Sequence, residues 1–356
     1  MSKPSKLYKL KIEAVKEAYK KEIKQINSQI DLVKKLDDIN SHLQKFNWIF
    51  LHPYNQGMDI DILKRLSSET EEPENKILHF FASKFLDLRT TIHFIDGFFN
   101  KIPFIKDYIP SIEESVILCL QKDFNGAINV LLPVIEGVLR KYLIDKKGIH
   151  IETVVDIDEL LKALHHLTND YVELEKKYLK MRYKYLIDTG QYFDVNQEKQ
   201  ILKKRKEYFE LWVKQLNNYL THNLYLNTKK NKVTDTFNRH LIFHALKDNI
   251  DYSFANYLRL FNCINFLSWM IGSTTENCSI LSEGNEEEVM NKWVDYMSVL
   301  VTSEALTETK NNIYKKEVVS FKRYLDPKYL NVIVRQEQLI SQALKMNDFL
   351  KTPKRN

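Results

Sequence analysis

Ala127-Ile-Asn-Val-Leu-Leu-Pro-Val-Ile-Glu-Gly-Val-Leu-Arg-Lys-Tyr-Leu143 is apolar on nearly every face of a helix, and a helix of that kind belongs at the centre of a core. Pro133 and Glu136 interrupt it, and it is too short to span a bilayer. Working outward, Asp123-Phe-Asn-Gly126 is a turn. Before that turn, Ser111 and Glu114 follow Pro110 with the spacing of a capping box, in which hydroxyl and carboxylate satisfy each other's orphan amides. Gly148 ends the central helix, and Asp156 with Glu159 caps the next, VDIDELLKAL.

The rest of the chain repeats the helical pattern. Over residues 7–46, Ile26, Ile30, Val33, Leu36, Ile39, Leu43 and Phe46 recur every three or four positions, which predicts one long helix or two in tandem, facing the core. A polar break at 67–75 precedes a helical run from Lys76 to Phe99, and Pro103 to Pro110 reads as a module boundary. Helices on either side of Asp188-Thr-Gly190 follow, then a loop over 227–234 with Thr234 or Asp235 as the next N-cap. A long apolar helix spans Asp251 to Ile271. A polar linker over 272–287 leads to a helical appendage over 288–349 and a basic tail, Lys351 to Arg355. No repeat is evident. Only eight Gly and eight Pro occur in 356 residues, and no alternating β-branched run is long enough to found a sheet. The expected fold is all-α, in three consecutive segments: 1–107, 108–275 and 276–356.

Cys119, Cys263 and Cys278 are odd in number and far apart, which argues against a disulfide framework and suits a reducing compartment. The first residues lack the apolar core of a signal peptide. The expectation is a cytoplasmic protein with no membrane partner. No glycine-rich phosphate loop, CxxC pair or HExxH occurs, which argues against an NTPase or a zinc enzyme. The net charge of +6 is unevenly spread: residues 176–232 carry 14 Lys and Arg against 5 Asp and Glu, a net of +9. Such a segment attracts polyanions.

That basic segment leads into Asn238-Arg239-His240-Leu241-Ile242-Phe243-His244. An arginine supplies a fixed cation for a phosphate, and a histidine supplies a titratable proton carrier. Residues five apart lie roughly 140° around a helix, so Arg239 and His244 meet only if the long arginine side chain sweeps across. His240 and His244 share a face. The plainer reading makes His244 a core histidine and Arg239 a surface residue. Glu136, a carboxylate inside an apolar helix, needs a partner. Arg140, one turn on, is the ordinary candidate; Arg239 is the other, and Gly137 beside it points to close packing. Finally, Lys176, Lys177, Arg182 and Lys184, then Lys203, Lys204, Arg205 and Lys206, alternate with Tyr208, Phe209 and Trp212. Cations among aromatic rings suit single-stranded RNA, or are solvated helix faces whose rings turn into the core.

The stretch NRHLIFHAL resembles the Arg-x4-His signature of the HEPN superfamily, with His240 in its polar slot and Asn238 and Ala245 in keeping. NVLLPVIEGVLRKYL is similar to the apolar helix with a Glu-Gly pair in members linked to abortive infection. The resemblance covers residues 110 to 275. It implies a helical bundle of HEPN type, here with additional N- and C-terminal segments, acting as a metal-independent endoribonuclease with no cofactor. Two copies are expected to pair across one composite cleft, as a homodimer or higher homo-oligomer. The 2′-hydroxyl attacks the adjacent phosphorus and a 2′,3′-cyclic phosphate remains. Carried over, Arg239 stabilises the phosphorane-like charge, His244 moves the proton, and Asn238 and His240 position RNA or neighbouring groups; beside them, a Glu136 that takes Arg239 rather than Arg140 as its partner orients that arginine. The implied role is a toxin or antiviral effector on RNA, tRNA or mRNA among them, held by a regulatory or antitoxin partner. A non-catalytic helical module that binds RNA or protein stands as the alternative.

Overall fold

The computed structural model describes residues 6–50, 57–68, 71–148, 157–182, 195–226, 252–278, 285–315 and 317–327, with 238, 239, 242 and a few positions between 329 and 342. Among them every regular element is helical, as the scarcity of glycine, proline and alternating strands implies. None of these helices is long and apolar enough to cross a membrane. The expected N-caps Asp156, Thr234 and Asp235 and the break at 188–190 lie outside the described residues. The chain forms two compact units interleaved along the sequence, not consecutive as the three expected segments are. One comprises residues 1–64, 139–231 and 269–277, and the other 65–138, 232–268 and 278–356.

The first unit is built on α1 (Lys6–Leu43), α7 (Ile157–Arg182) and α8 (Val195–Tyr219). The α1 stripe behaves as its spacing requires. Ile26, Ile30, Val33, Leu36, Ile39 and Leu43 are buried, and α1 lies along α8, which also packs on α7. Ile26 and Ile30 meet Leu179 and Ile201. Burying such a side chain stabilises by about 1.5–3 kcal/mol. Further along α1, the buried Asn40 amide donates to Gln215 at 2.6 Å and to the Phe50 carbonyl at 3.2 Å, and its oxygen accepts the Phe50 amide at 2.7 Å. Gln215 in turn donates to the Val33 carbonyl at 3.3 Å. After α1, a short 3₁₀ turn over Gln44–Phe46 is closed by Asn47 in the left-handed region, φ 61°, a conformation asparagine tolerates. The Asn223 amide bonds the Asn47 side chain there, at 2.7 Å.

The second unit holds α3 (Pro73–Phe85), α4 (Leu88–Ile92), α5 (Ile109–Leu120), the start of α6 (Phe124–Lys147), most of α9 (Phe254–Ser273), α10 (Glu286–Ala305) and α11 (Thr307–Tyr314). α10 packs on α4 and α5, so the stretch expected as a C-terminal appendage shares this core. Residues 103–110 fall within the 65–138 span of the same unit and do not bound it. Helix α5 starts at Ile109, two residues before the expected capping box, with no side-chain cap. Pro110 explains this, because the first turn needs no proline N–H and its fixed φ suits a helix. The core is aromatic: Phe85 meets Phe261 and Tyr257 with centroids 5.1 and 5.5 Å apart, and Phe254 meets Phe321 at 4.9 Å. Inside it, Lys122 Nζ and Glu304 form an ion pair of 2.8 Å with both side chains essentially inaccessible. Glu304 also accepts the Phe321 amide at 2.8 Å and the Ser320 hydroxyl at 2.9 Å, which satisfies the carboxylate as a buried charge requires.

Candidate functional site

Arg239 stands in the first turn of a helix. The Ile242 amide bonds the Asn238 carbonyl at 3.0 Å, the i to i−4 bond that opens an α-helix. Asn238 and Ile242 are both buried, so the segment is anchored on either side of the arginine. His240 and His244 lie outside the described residues.

Glu136 meets that arginine. It is buried on α6 between Ile135 and Gly137. Its Oε1 lies 2.6 Å from Arg239 Nε, and its Oε2 accepts from Nη2 at 3.2 Å. Only the Nη2–Oε2 contact has hydrogen-bond geometry; the Nε–Oε1 approach is a close ion-pair contact, and the planar guanidinium makes such a pairing directional as well as attractive. Of the two partners the sequence offered for Glu136, Arg239 is thus one in fact. The Arg239 side chain is 32% exposed and the Glu136 side chain 11%, so the carboxylate is the inner member and the arginine reaches outward. Gly137 has a steric reason: a Cβ there would overlap the Tyr108 hydroxyl and stand 2.7 Å from its ring carbon Cζ. The absence of a side chain lets the Tyr108 ring lie against α6 beside Glu136.

The basic segment lies in the first unit, and most of its described cations have acidic partners. Lys177 pairs with Glu276 at 2.5 Å, Lys204 with Glu207 at 2.8 Å, and Lys206 with Glu210 at 3.6 Å. Lys176 pairs with Glu173 at 3.7 Å, and Arg182 with Glu22. Arg205 is the most enclosed. It lies 3.4 Å from Glu175 and 3.6 Å from Glu22, and donates to Gln29 at 3.2 Å. Burial opposes its charge, but Glu175, Tyr171 and Glu22 outweigh burial and hold its pKa above the ordinary value. Lys203 is exposed, and Lys184 lies outside the described residues. The rings turn inward: Phe209 and Trp212 are fully buried, Phe209 stacks on Tyr171 at 4.4 Å, and Tyr208 sets its edge on Trp212. Of the two readings of these rings, the core one holds.

His222 is exposed on the first unit, its Nδ1 2.9 Å from the Asn218 carbonyl. His165 is exposed on α7. Arg89 and His93, one residue short of the signature spacing, converge on Glu286 at 2.7 and 3.8 Å. A neighbouring cluster sets Lys292 between Asp96, at 2.7 Å, and Glu113. Sequence spacing gave no sign of either cluster, because each joins residues far apart in the chain. No group of metal-ligating side chains is present among the described residues. Compared with family models, curated proteins and solved structures, the chain finds no match.

Proposed function

We propose that this protein is a metal-independent endoribonuclease of the HEPN kind. The observation that carries the reading is the close Glu136–Arg239 ion pair, in which the arginine is the first residue of the Arg-x4-His spacing. A surface arginine of no consequence has no need of a buried carboxylate to fix its plane. A phosphate-binding arginine does, because preorganised charge costs no reorganisation when the transition state forms.

In this reading His244 takes the proton from the ribose 2′-hydroxyl as its oxygen bonds to phosphorus. The 5′-oxygen of the next nucleotide leaves and receives a proton, and the products are a 2′,3′-cyclic phosphate and a free 5′-hydroxyl. Arg239 offsets the charge on the non-bridging oxygens. Asn238 holds the turn, and His240 positions the RNA or neighbouring side chains. A positioned acid/base contributes about 10²–10⁴-fold, and a preorganised donor about 10²–10³-fold. Pairing of two copies about one cleft, a cytoplasmic toxin or antiviral role and a restraining partner belong to the same proposal.

The ion-paired cations and buried rings of residues 176–212 favour a second reading, a helical binding module without catalysis. The two separate in one experiment: RNA incubated in EDTA with wild type, His244→Ala and Arg239→Ala. Fragments ending in 2′,3′-cyclic phosphate from wild type alone support the nuclease. Equal cleavage by all three removes the site assignment, and salt-sensitive RNA binding without fragments supports the module.

A further inference from the structure

The second unit contains a cavity of about 530 Å³, within the range of small-molecule sites, and it involves none of the residues of the proposed nuclease site. Two long helices begin on its wall. Asp123 and Phe124 lead into α6, and Tyr252, Ser253 and Phe254 lead into α9. Asp123 Oδ1 accepts the Gly126 amide at 3.0 Å and Ser253 Oγ accepts the Asn256 amide at 3.3 Å. Each helix also carries first-turn amides and the positive end of its dipole.

Charge and rings complete the lining. Lys310 borders the cavity and donates to the Gln121 carbonyl. Burial lowers its pKa, with Asp123 opposing. Lys122 borders it too. Its ammonium is paired with Glu304 and inaccessible, so the charge this wall presents is that of Lys310. Phe124, Tyr252 and Tyr314 supply aromatic surface, and Tyr314 is 56% exposed. Asp123 and Glu317 add carboxylates. A bare phosphate would be repelled by these two, whereas a ring bearing N–H donors could use them.

We propose that this cavity is a nucleotide-binding site. A planar base packs on the aromatic wall with its N–H edge toward a carboxylate, and the phosphate lies toward Lys310 and the start of α9, whose cap, Ser253, is uncharged. Stacking on such rings tolerates every base, because each has a π-face, so the carboxylates select for donors and the lysine for the phosphate.

The test is calorimetric titration of the full chain with AMP and GMP, with adenosine and inorganic phosphate as half-ligands. Saturable binding of a mononucleotide is expected, tighter than either half. It should weaken about tenfold in Lys310→Gln, the loss of one charge-assisted bond, and similarly in Tyr314→Ala. Lys203→Gln and Arg239→Ala should leave it unchanged, so the result does not depend on the nuclease reading. No saturable binding to folded protein overturns the proposal. So does binding that Lys310→Gln and Tyr314→Ala both leave intact, phosphate binding as tight as the nucleotide, or an RNA oligonucleotide that binds where mononucleotides do not.

Discussion

Replacing Glu136 with Gln keeps the shape of the inner side chain and removes its charge. In the wild type two contacts, 2.6 and 3.2 Å, fix the plane of the Arg239 guanidinium. The glutamine amide can accept only once and presents a donor where Oε1 or Oε2 stood. Removing one partner of a fully buried pair costs about 3–5 kcal/mol. Arg239 is a third exposed and recovers much of its hydration, so the expected loss for Glu136→Gln is about 1–2 kcal/mol. Arg239→Ala should cost more, about 2–4 kcal/mol, because the orphaned group is then the inner carboxylate, only 11% exposed. Activity should follow the same order. A guanidinium displaced by about 1 Å loses up to 10²-fold, so single-turnover cleavage by Glu136→Gln should fall about 10- to 100-fold, and by Arg239→Ala about 10²- to 10³-fold. The double variant should be no slower than Arg239→Ala, since the carboxylate acts only through the arginine. Cleavage of a fluorescent RNA in EDTA, beside urea denaturation of the same samples, checks both orders. Wild-type cleavage by folded Glu136→Gln would refute the positioning role, as would additive losses in the double variant.

Three further outcomes follow from the packing. Lys122→Met leaves Glu304 buried and unneutralised, and should destabilise by about 3–5 kcal/mol in denaturant unfolding; adding Glu304→Gln should recover part of that. Gly137→Ala drives a methyl into the Tyr108 ring and should cost about 1–3 kcal/mol, less when tested in a Tyr108→Ala background. The third concerns alkali. Burial pushes the Cys263 thiol up to about 12 and the Cys119 thiol upward as well, and burial with neighbouring carboxylates raises the Tyr142 and Tyr296 phenols. Between the ordinary and the raised pKa the unfolded chain releases a proton that the folded chain keeps, so stability falls as pH rises, by about 1.4 kcal/mol per pH unit for each group. Denaturation midpoints should therefore decline from above pH 9 through the thiols and more steeply above pH 10 through the phenols, and Cys263→Ala should flatten the first part.

Periodicity told which face of each helix is buried but not what buries it. The α1 stripe could be read from Ile26 to Leu43, yet nothing in it named α8 as the partner. That pairing across more than 150 residues is what interleaves the two units. Proline in a first turn outweighed the Ser111–Glu114 spacing, a local competition that a motif reading misjudges. At the candidate site, desolvation cost alone showed that Glu136 needed a cation, and the helix register supplied Arg140 as readily as Arg239. The interleaved rings of residues 208–212 were ambiguous for a similar reason: aromatic side chains at helical spacing serve a core and a stacking platform equally well. Lys122 and Glu304 gave no local sign, because each is an ordinary charged residue until the fold closes over it.

Asn40 shows how alignment differs from adhesion. The apolar stripe of α1 would grip its neighbour almost as well after sliding by one turn, about 5.4 Å, since another isoleucine or leucine would fill each vacated hole. The Asn40 amide does not survive such a slip, because it must meet the Phe50 backbone and the Gln215 amide together. One polar side chain thus turns a long, nearly repetitive contact into a vernier with a single coincident mark. Asn40→Leu should then yield a helix that still binds but no longer knows where along its partner to stop.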